Sequence, residues 1–245
     1  MLAVRIVALG LLAPLVLGAC ADDDQSAKPE PSTQAAAAGA PFDAARLTVE
    51  TNATDGDAGL QLFLDHEPWK TVALYKPDGS KILDVNTGGV LSDYGLTELF
   101  SESSEPPFEK FPLAEFQKIF PAGQYRVTGT TIEGEQVEST VTLAHDFPRG
   151  PKVLTPGDDA TVSAGSFAVA WEPVTEPAGI TIVGYQVVVT KEEPLRVLSA
   201  GLPAGATRFA VPAEFLAEGG EYKLEVAAID KSRNQTFTEV TFKVS

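Results

Sequence analysis

The sequence predicts a mainly β protein. Two tandem β-sandwich-like units, residues 42–148 and 149–245, follow an export signal at 1–19 and a disordered tether at 20–41. Three observations lead there. Apolar and small or polar side chains alternate at period two in both halves, as in Phe167-Ala168-Val169-Ala170-Trp171, which is the pattern of half-buried strands. Gly, Pro, Asn and Asp clusters interrupt those runs at short intervals, as turns between strands require. Helical spacing is confined to short stretches near the middle of the first half.

The N-terminal segment carries Arg5, then an apolar run from Ile6 to Leu17, then small residues: the layout of a secretory signal. A transmembrane helix needs about 20 apolar residues, and Gly18 followed by Asp22-Asp23-Asp24 cuts this run short. Leu17-Gly18-Ala19-Cys20 resembles the lipobox of a bacterial lipoprotein signal, and Cys20 is the single cysteine of the chain. The resemblance implies cleavage before Cys20, a diacylglyceryl thioether on its sulfur, and anchoring in the cell envelope. Ala21 rather than Asp follows the cysteine, so the outer membrane is the expected address. Ala19-Cys20-Ala21 also satisfies the small-x-small rule of ordinary signal cleavage, which would remove Cys20 and release a soluble protein. The residues after Cys20 are mostly Asp, Ser, Lys, Pro, Gln and Ala, too poor in apolar surface to offset ordering entropy. They predict a flexible tether with a reach of roughly 25 Å.

Charge narrows the partners. The chain has 34 Asp+Glu against 18 Lys+Arg, formally −16, and no basic stripe, which excludes nucleic acid and anionic head groups as ligands. The expected partners are the membrane, through lipid on Cys20, and a protein or polysaccharide of the envelope. Residues 42–148 hold 18 acidic and 7 basic side chains, while 149–245 hold 12 and 9. The excess clusters at Glu98, Glu102, Glu105, Glu109 and Glu115, a surface able to steer a cationic partner.

In the first unit, strands are expected at 46–50, 60–64, 72–75, 81–85, 125–132 and 136–144. Pro77-Asp78-Gly79 and Glu133-Gly134-Glu135 supply two hairpin turns. Leu113, Phe116 and Phe120 recur at helical spacing after Pro112, and Pro121-Ala122-Gly123 stops the run. Leu96, Leu99 and Phe100 predict a further short helical turn.

In the second unit, strands are expected at 167–171, 185–189, 208–211, 221–230 and 236–244. Trp171-Glu172-Pro173, Gly184-Tyr185-Gln186-Val187, and Leu216 six residues before Tyr222, then Leu224-Glu225-Val226-Ala227-Ala228-Ile229-Asp230, resemble strands B, C and F of a fibronectin type III domain. The resemblance implies a core Trp171 and a tyrosine corner at Tyr222. It implies fold more than function. The loop 231–235 lacks the integrin-binding tripeptide of some family members.

Catalytic motifs are not found: no Gly-x-Ser-x-Gly, no His-Glu-x-x-His, no paired Cys and no phosphate loop. The two histidines, His66 and His145, read as residues near strand ends. No catalytic residue, cofactor or metal is assigned, and the chain is expected not to be an enzyme. Asp55 and Asp57 begin like a calcium loop, but Gly59 and His66 stand where ligands 5 and 12 belong, which favours a tight inter-strand turn. The functional expectation is a membrane-anchored, non-catalytic binding or scaffolding module. The alternatives are an accessory subunit of an envelope enzyme, or a sugar- or ion-binding module using an exposed Trp69 or Tyr94.

Overall fold

The computed structural model describes residues 39–163, 165 and 167–245; the signal, Cys20 and tether residues 20–38 lie outside the described residues. Among the described residues the fold is mainly β, 55% strand against 7% helix. In the first half, period-two burial builds β1 (Ala44–Asn52), β2 (Asp57–Tyr75), β3 (Lys81–Asn86), β4 (Leu96–Glu102), β5 (Gly123–Thr131) and β6 (Gln136–Leu143). One helical turn, α1 (Leu91–Tyr94), precedes β4, and α2 (Leu113–Ile119) precedes β5.

The organising element is β2. Its first half pairs with β1 on one edge and β4 on the other, and its second half pairs with β3 and β5. The ladder shifts register between Asp65 and Trp69, around Pro68, which has no amide to donate. Such irregularities bend and twist a strand, and past this one the main partners of β2 change from β1 and β4 to β3 and β5. The core it wraps contains Leu64, Trp69, Leu74, Tyr125 and Phe116 of α2.

Two expectations change here. Residues 60–64 and 72–75 are one continuous strand, because the Asp65-His66-Glu67-Pro68 interruption is absorbed as a bulge: Trp69 is fully buried and the Pro68 carbonyl accepts the Ile132 amide at 3.0 Å. Leu96, Leu99 and Phe100 lie on a strand, not a helical turn. The open edge of β2 has backbone groups to satisfy, and β4 satisfies them from Gln61↔Glu102 to Asp65↔Glu98, turning Leu99 toward the core and leaving Phe100 part-exposed. The expected helix is α2, with Phe116 buried and its ring 5.0 Å from that of Phe120.

The second half contains β7 (Val153–Thr155), β8 (Ala160–Val162), β9 (Phe167–Trp171), β10 (Ile182–Lys191), β11 (Arg196–Pro203), β12 (Arg208–Val211), β13 (Glu221–Asp230) and β14 (Gln235–Val244). Sheet order β12-β9-β7 faces the run β11-β10-β13-β14, the two-layer arrangement of a fibronectin type III-like sandwich. The Trp171 and Tyr185 rings meet inside it at a tilt of 52°, their centroids 5.4 Å apart. Tyr222 makes the corner: its hydroxyl accepts the Ala217 amide at 2.7 Å and donates to the Phe215 carbonyl at 3.4 Å.

Each half has its own hydrophobic cluster, yet the sheet does not stop between them. The first three residues of β14 pair in parallel with the last three of β1, Glu50↔Gln235, Thr51↔Thr236 and Asn52↔Phe237. The order runs unbroken as β11-β10-β13-β14-β1-β2-β5-β6. The connecting segment is equally close-packed: a Cβ at Gly150 would lie 2.5 Å from the Ala53 methyl and 2.7 Å from Thr238 Oγ1.

Candidate functional site

The chemistry-bearing side chains concentrate where β1 meets β14. Asn234 enters this seam from the β13–β14 turn. That turn is tied by Ser232, whose hydroxyl lies 2.7 Å from both Asp230 carboxylate oxygens, and by Arg233 in the left-handed region at φ 72°. So placed, Asn234 is 1% exposed. Its Oδ1 accepts the Val49 amide at 2.8 Å, and its Nδ2 donates to the carbonyls of Ala144 at 3.0 Å and Asp146 at 3.2 Å. One carboxamide of the second half thus satisfies three backbone groups of the first.

Asn52 does the reciprocal work. Its Oδ1 accepts the amides of Thr54 and Asp55 at 2.8 and 3.1 Å, and its Nδ2 donates to Asp55 Oδ2 at 3.1 Å and to Glu239 Oε1 on β14 at 3.2 Å. Thr51 and Thr236 hydroxyls meet at 2.6 Å, and Thr54 Oγ1 accepts the Glu239 amide at 2.8 Å. The seam is therefore a saturated polar network inside a continuous sheet.

Beside it lies a carboxylate group. Glu50 of β1, Glu102 of β4 and Glu105 bring oxygen atoms within 4.8 Å of one another. Gly59 makes room, since a Cβ there would lie 2.7 Å from Glu105 Oε1. Gln61 Nε2 donates to Glu102 Oε1 at 2.9 Å, and Gln235 Nε2 donates to Glu50 Oε2. Burial first, then the charges of Glu102 and Glu225, push the Glu50 carboxyl up to about 7 against the partial relief of Gln235 and Gln61. Burial and crowding therefore bias the Glu50 carboxyl toward its protonated form.

Residues 53–56, between β1 and β2, form a tight inter-strand turn. Asp55 caps it through Asn52, Gly56 supplies φ 67°, and Asp57 opens β2 as a buried residue. Among the described residues the group of three acidic side chains within ligand reach of one another is Glu50, Glu102 and Glu105, without Asp55 or Asp57. His66 lies with Nδ1 3.5 Å from Asp43 and its ring 5.6 Å from Phe42. His145 Nε2 is 2.8 Å from the Phe120 carbonyl. Both sit in local packing contacts. Trp69 is no ligand platform, for it is fully buried with its Nε1 donating to the Thr97 carbonyl at 3.3 Å, whereas Tyr94 is 74% exposed.

A groove of about 750 Å³ lies on the second half, lined by Lys191, Glu221, Tyr222, Lys223, Thr241 and Lys243 among others. Two of its ammonium groups are answered within the fold: Lys223 by Glu225 at 2.7 Å, and Lys243 by Glu221 at 2.9 Å.

No family model matches the chain, and no curated protein does. Among solved structures it is similar to a two-domain fibronectin type III segment of chicken tenascin, at 12% identity over 81% of this chain and 98% of that one, TM-score 0.30. The chicken CNTN1 FN1-FN3 domains match at 16% identity over 84% and 66%, TM-score 0.30. The fn3 domain of human collagen alpha-1(XX) chain matches at 19% over 40% and 83%, TM-score 0.28. The fibronectin type III-like description of the second half rests on its own strand order and tyrosine corner.

Proposed function

We propose that the chain is a lipid-anchored cell-envelope protein, outer-membrane by preference, whose two β modules act as one stiff, non-catalytic unit for binding or scaffolding a protein or polysaccharide of the envelope. The observation that carries the reading is the Asn234 seam. Modules joined by a loose linker reorient by default, whereas here a parallel strand pair and a saturated buried network oppose bending. Stiffness suits a part that presents surfaces of both modules to a partner in one fixed relation. The anchor itself rests on the lipobox resemblance at Cys20.

The test is the tumbling of residues 39–245 in solution by NMR relaxation. One correlation time for amides of both modules is expected, and Asn234→Ala should split it into two. Independent tumbling in the unaltered protein would refute the stiff-unit reading.

A further inference from the structure

The β3–β4 connection is a formed helical turn that buries none of its side chains. Val90 is 70% exposed, Leu91 46% and Tyr94 74%. Its backbone is nonetheless held. The Thr87 amide donates to the Lys70 carbonyl at 2.9 Å, and the Gly95 amide closes the turn on the Leu91 carbonyl at 2.8 Å. Gly95, at φ 74°, is wedged so closely that a Cβ would lie 2.8 Å from Ile132 and 2.9 Å from Pro68. An ordered knob offering two aliphatic side chains and a tyrosine to solvent has the composition of an interface anchor, and its prior ordering lowers the entropic cost of docking.

The surroundings select the occupant. Segments 65–71, 84–98 and 131–136, which make up the knob and its base, carry seven carboxylates and the ammonium of Lys70, and one of the seven, Asp84, is paired with Lys81 of β3 at 2.6 Å, which leaves the surround acidic. A second copy would set these acidic rims against each other. Anionic lipid is repelled for the same reason. A polysaccharide would use Tyr94 and the carboxylates but would leave the exposed aliphatic side chains of Val90 and Leu91 without an apolar partner. We infer that α1 and its flanks, Val90, Leu91 and Tyr94, dock into an apolar pocket of an envelope protein whose rim is lysine- and arginine-rich. This deepens the binding-module reading and rests on it.

The experiment places the photo-crosslinker benzoylphenylalanine at Tyr94 in the full chain, in cells that make it, with parallel insertions at Glu109 in the acidic stretch and at Leu195 on the second module. The expected result is a discrete protein adduct at position 94. Its mapped site on the partner should be apolar with flanking Lys or Arg, and its yield should fall about tenfold or more in Leu91→Ser. In envelope extracts the yield should also fall at about 0.5 M salt, where rim charges are screened. Leu91 faces solvent, so an unchanged melt of Leu91→Ser accompanies this result. An adduct at 94 to a second copy, to glycan or to lipid overturns the inference, as does one indifferent to Leu91→Ser. So does Leu91-dependent sedimentation with phosphatidylglycerol vesicles. Protein adducts at 109 or 195 without one at 94 overturn the knob and leave the module reading standing; no adduct at any of the three overturns both.

Discussion

Asn234 and Val49, 185 residues apart in sequence, are joined by a 2.8 Å hydrogen bond from the Val49 amide to the Asn234 side-chain oxygen. Truncating that side chain orphans one buried amide and loosens two carbonyls. An unsatisfied buried group costs about 1–3 kcal/mol, so Asn234→Ala should lose about 2–4 kcal/mol in urea denaturation. A loss below about 0.5 kcal/mol, the ordinary surface value, would mean that the seam contributes little.

Acidity should act through Glu50, on β1, with Glu102, Glu105 and Glu225 as the neighbouring carboxylates. With the folded carboxyl at about 7 and its ordinary value 4.5, the native state holds a proton that the unfolded chain has released between those values. This group's contribution to stability therefore falls as pH rises through that window and is fully lost above it. Glu50→Gln keeps an acceptor for Gln235 and never ionises. It should match wild type near pH 4 and exceed it near pH 8, by an amount on the order of 3 kcal/mol. Equal pH profiles for the two proteins would refute the assignment.

Tyr222→Phe removes the partner of the Ala217 amide without changing the ring that stacks on Phe242 at 5.2 Å. The expected loss is about 1–3 kcal/mol, read as a lower denaturation midpoint at unchanged slope.

Trp171 is 1% exposed between the two sheets, and Trp171→Ala should cost about 3–5 kcal/mol. A fragment of residues 149–245 keeps that core but bares the β14 edge and Asn234. It is expected to melt cooperatively at a lower temperature than the full chain, and to lose its transition when it also carries Trp171→Ala. A near-normal melt of that doubly altered fragment would take Trp171 out of the core.

For the anchor, detergent phase partitioning should place wild type with the membrane fraction and Cys20→Ser in the aqueous phase. If both partition as soluble proteins, the lipobox reading of Leu17-Gly18-Ala19-Cys20 is wrong.

Local pattern made much of this fold legible. The alternation through Phe167, Val169 and Trp171 and through Tyr185, Val187 and Val189 marks β9 and β10, and Tyr222 lies where the tyrosine corner was expected. What local pattern obscures is the work of distant partners. Leu96, Leu99 and Phe100 fit a helical spacing, and only the open edge of β2 makes them a strand. Trp69 follows a polar, proline-bearing run that suggests exposure, but the bulge in β2 turns it into the core. Asn52 and Asn234 each begin an Asn-x-Thr triplet in loop-like sequence, where polar side chains are ordinarily solvated. Their burial follows from a parallel pairing across more than half the chain, which no local spacing encodes. Glu102 and Glu105 likewise read as members of an acidic surface, whereas β4 and its continuation along the start of β2, with the Ser103 amide on the Leu60 carbonyl and the Phe108 amide on the Gly56 carbonyl, set them beside Glu50.

The β13–β14 turn has a consequence for inheritance. In a self-sufficient repeat unit this loop is free, and the unit can be copied, shuffled or spliced into new chains as a cassette. Here its asparagine is committed to the backbone of the preceding half. Recombination that moved the C-terminal half alone would carry a buried-type side chain and a bare strand edge into solvent, an invitation to aggregate. The two halves should therefore be transmitted as a pair, and substitutions at 49, 52, 234 and 236 should rise and fall together rather than drift independently.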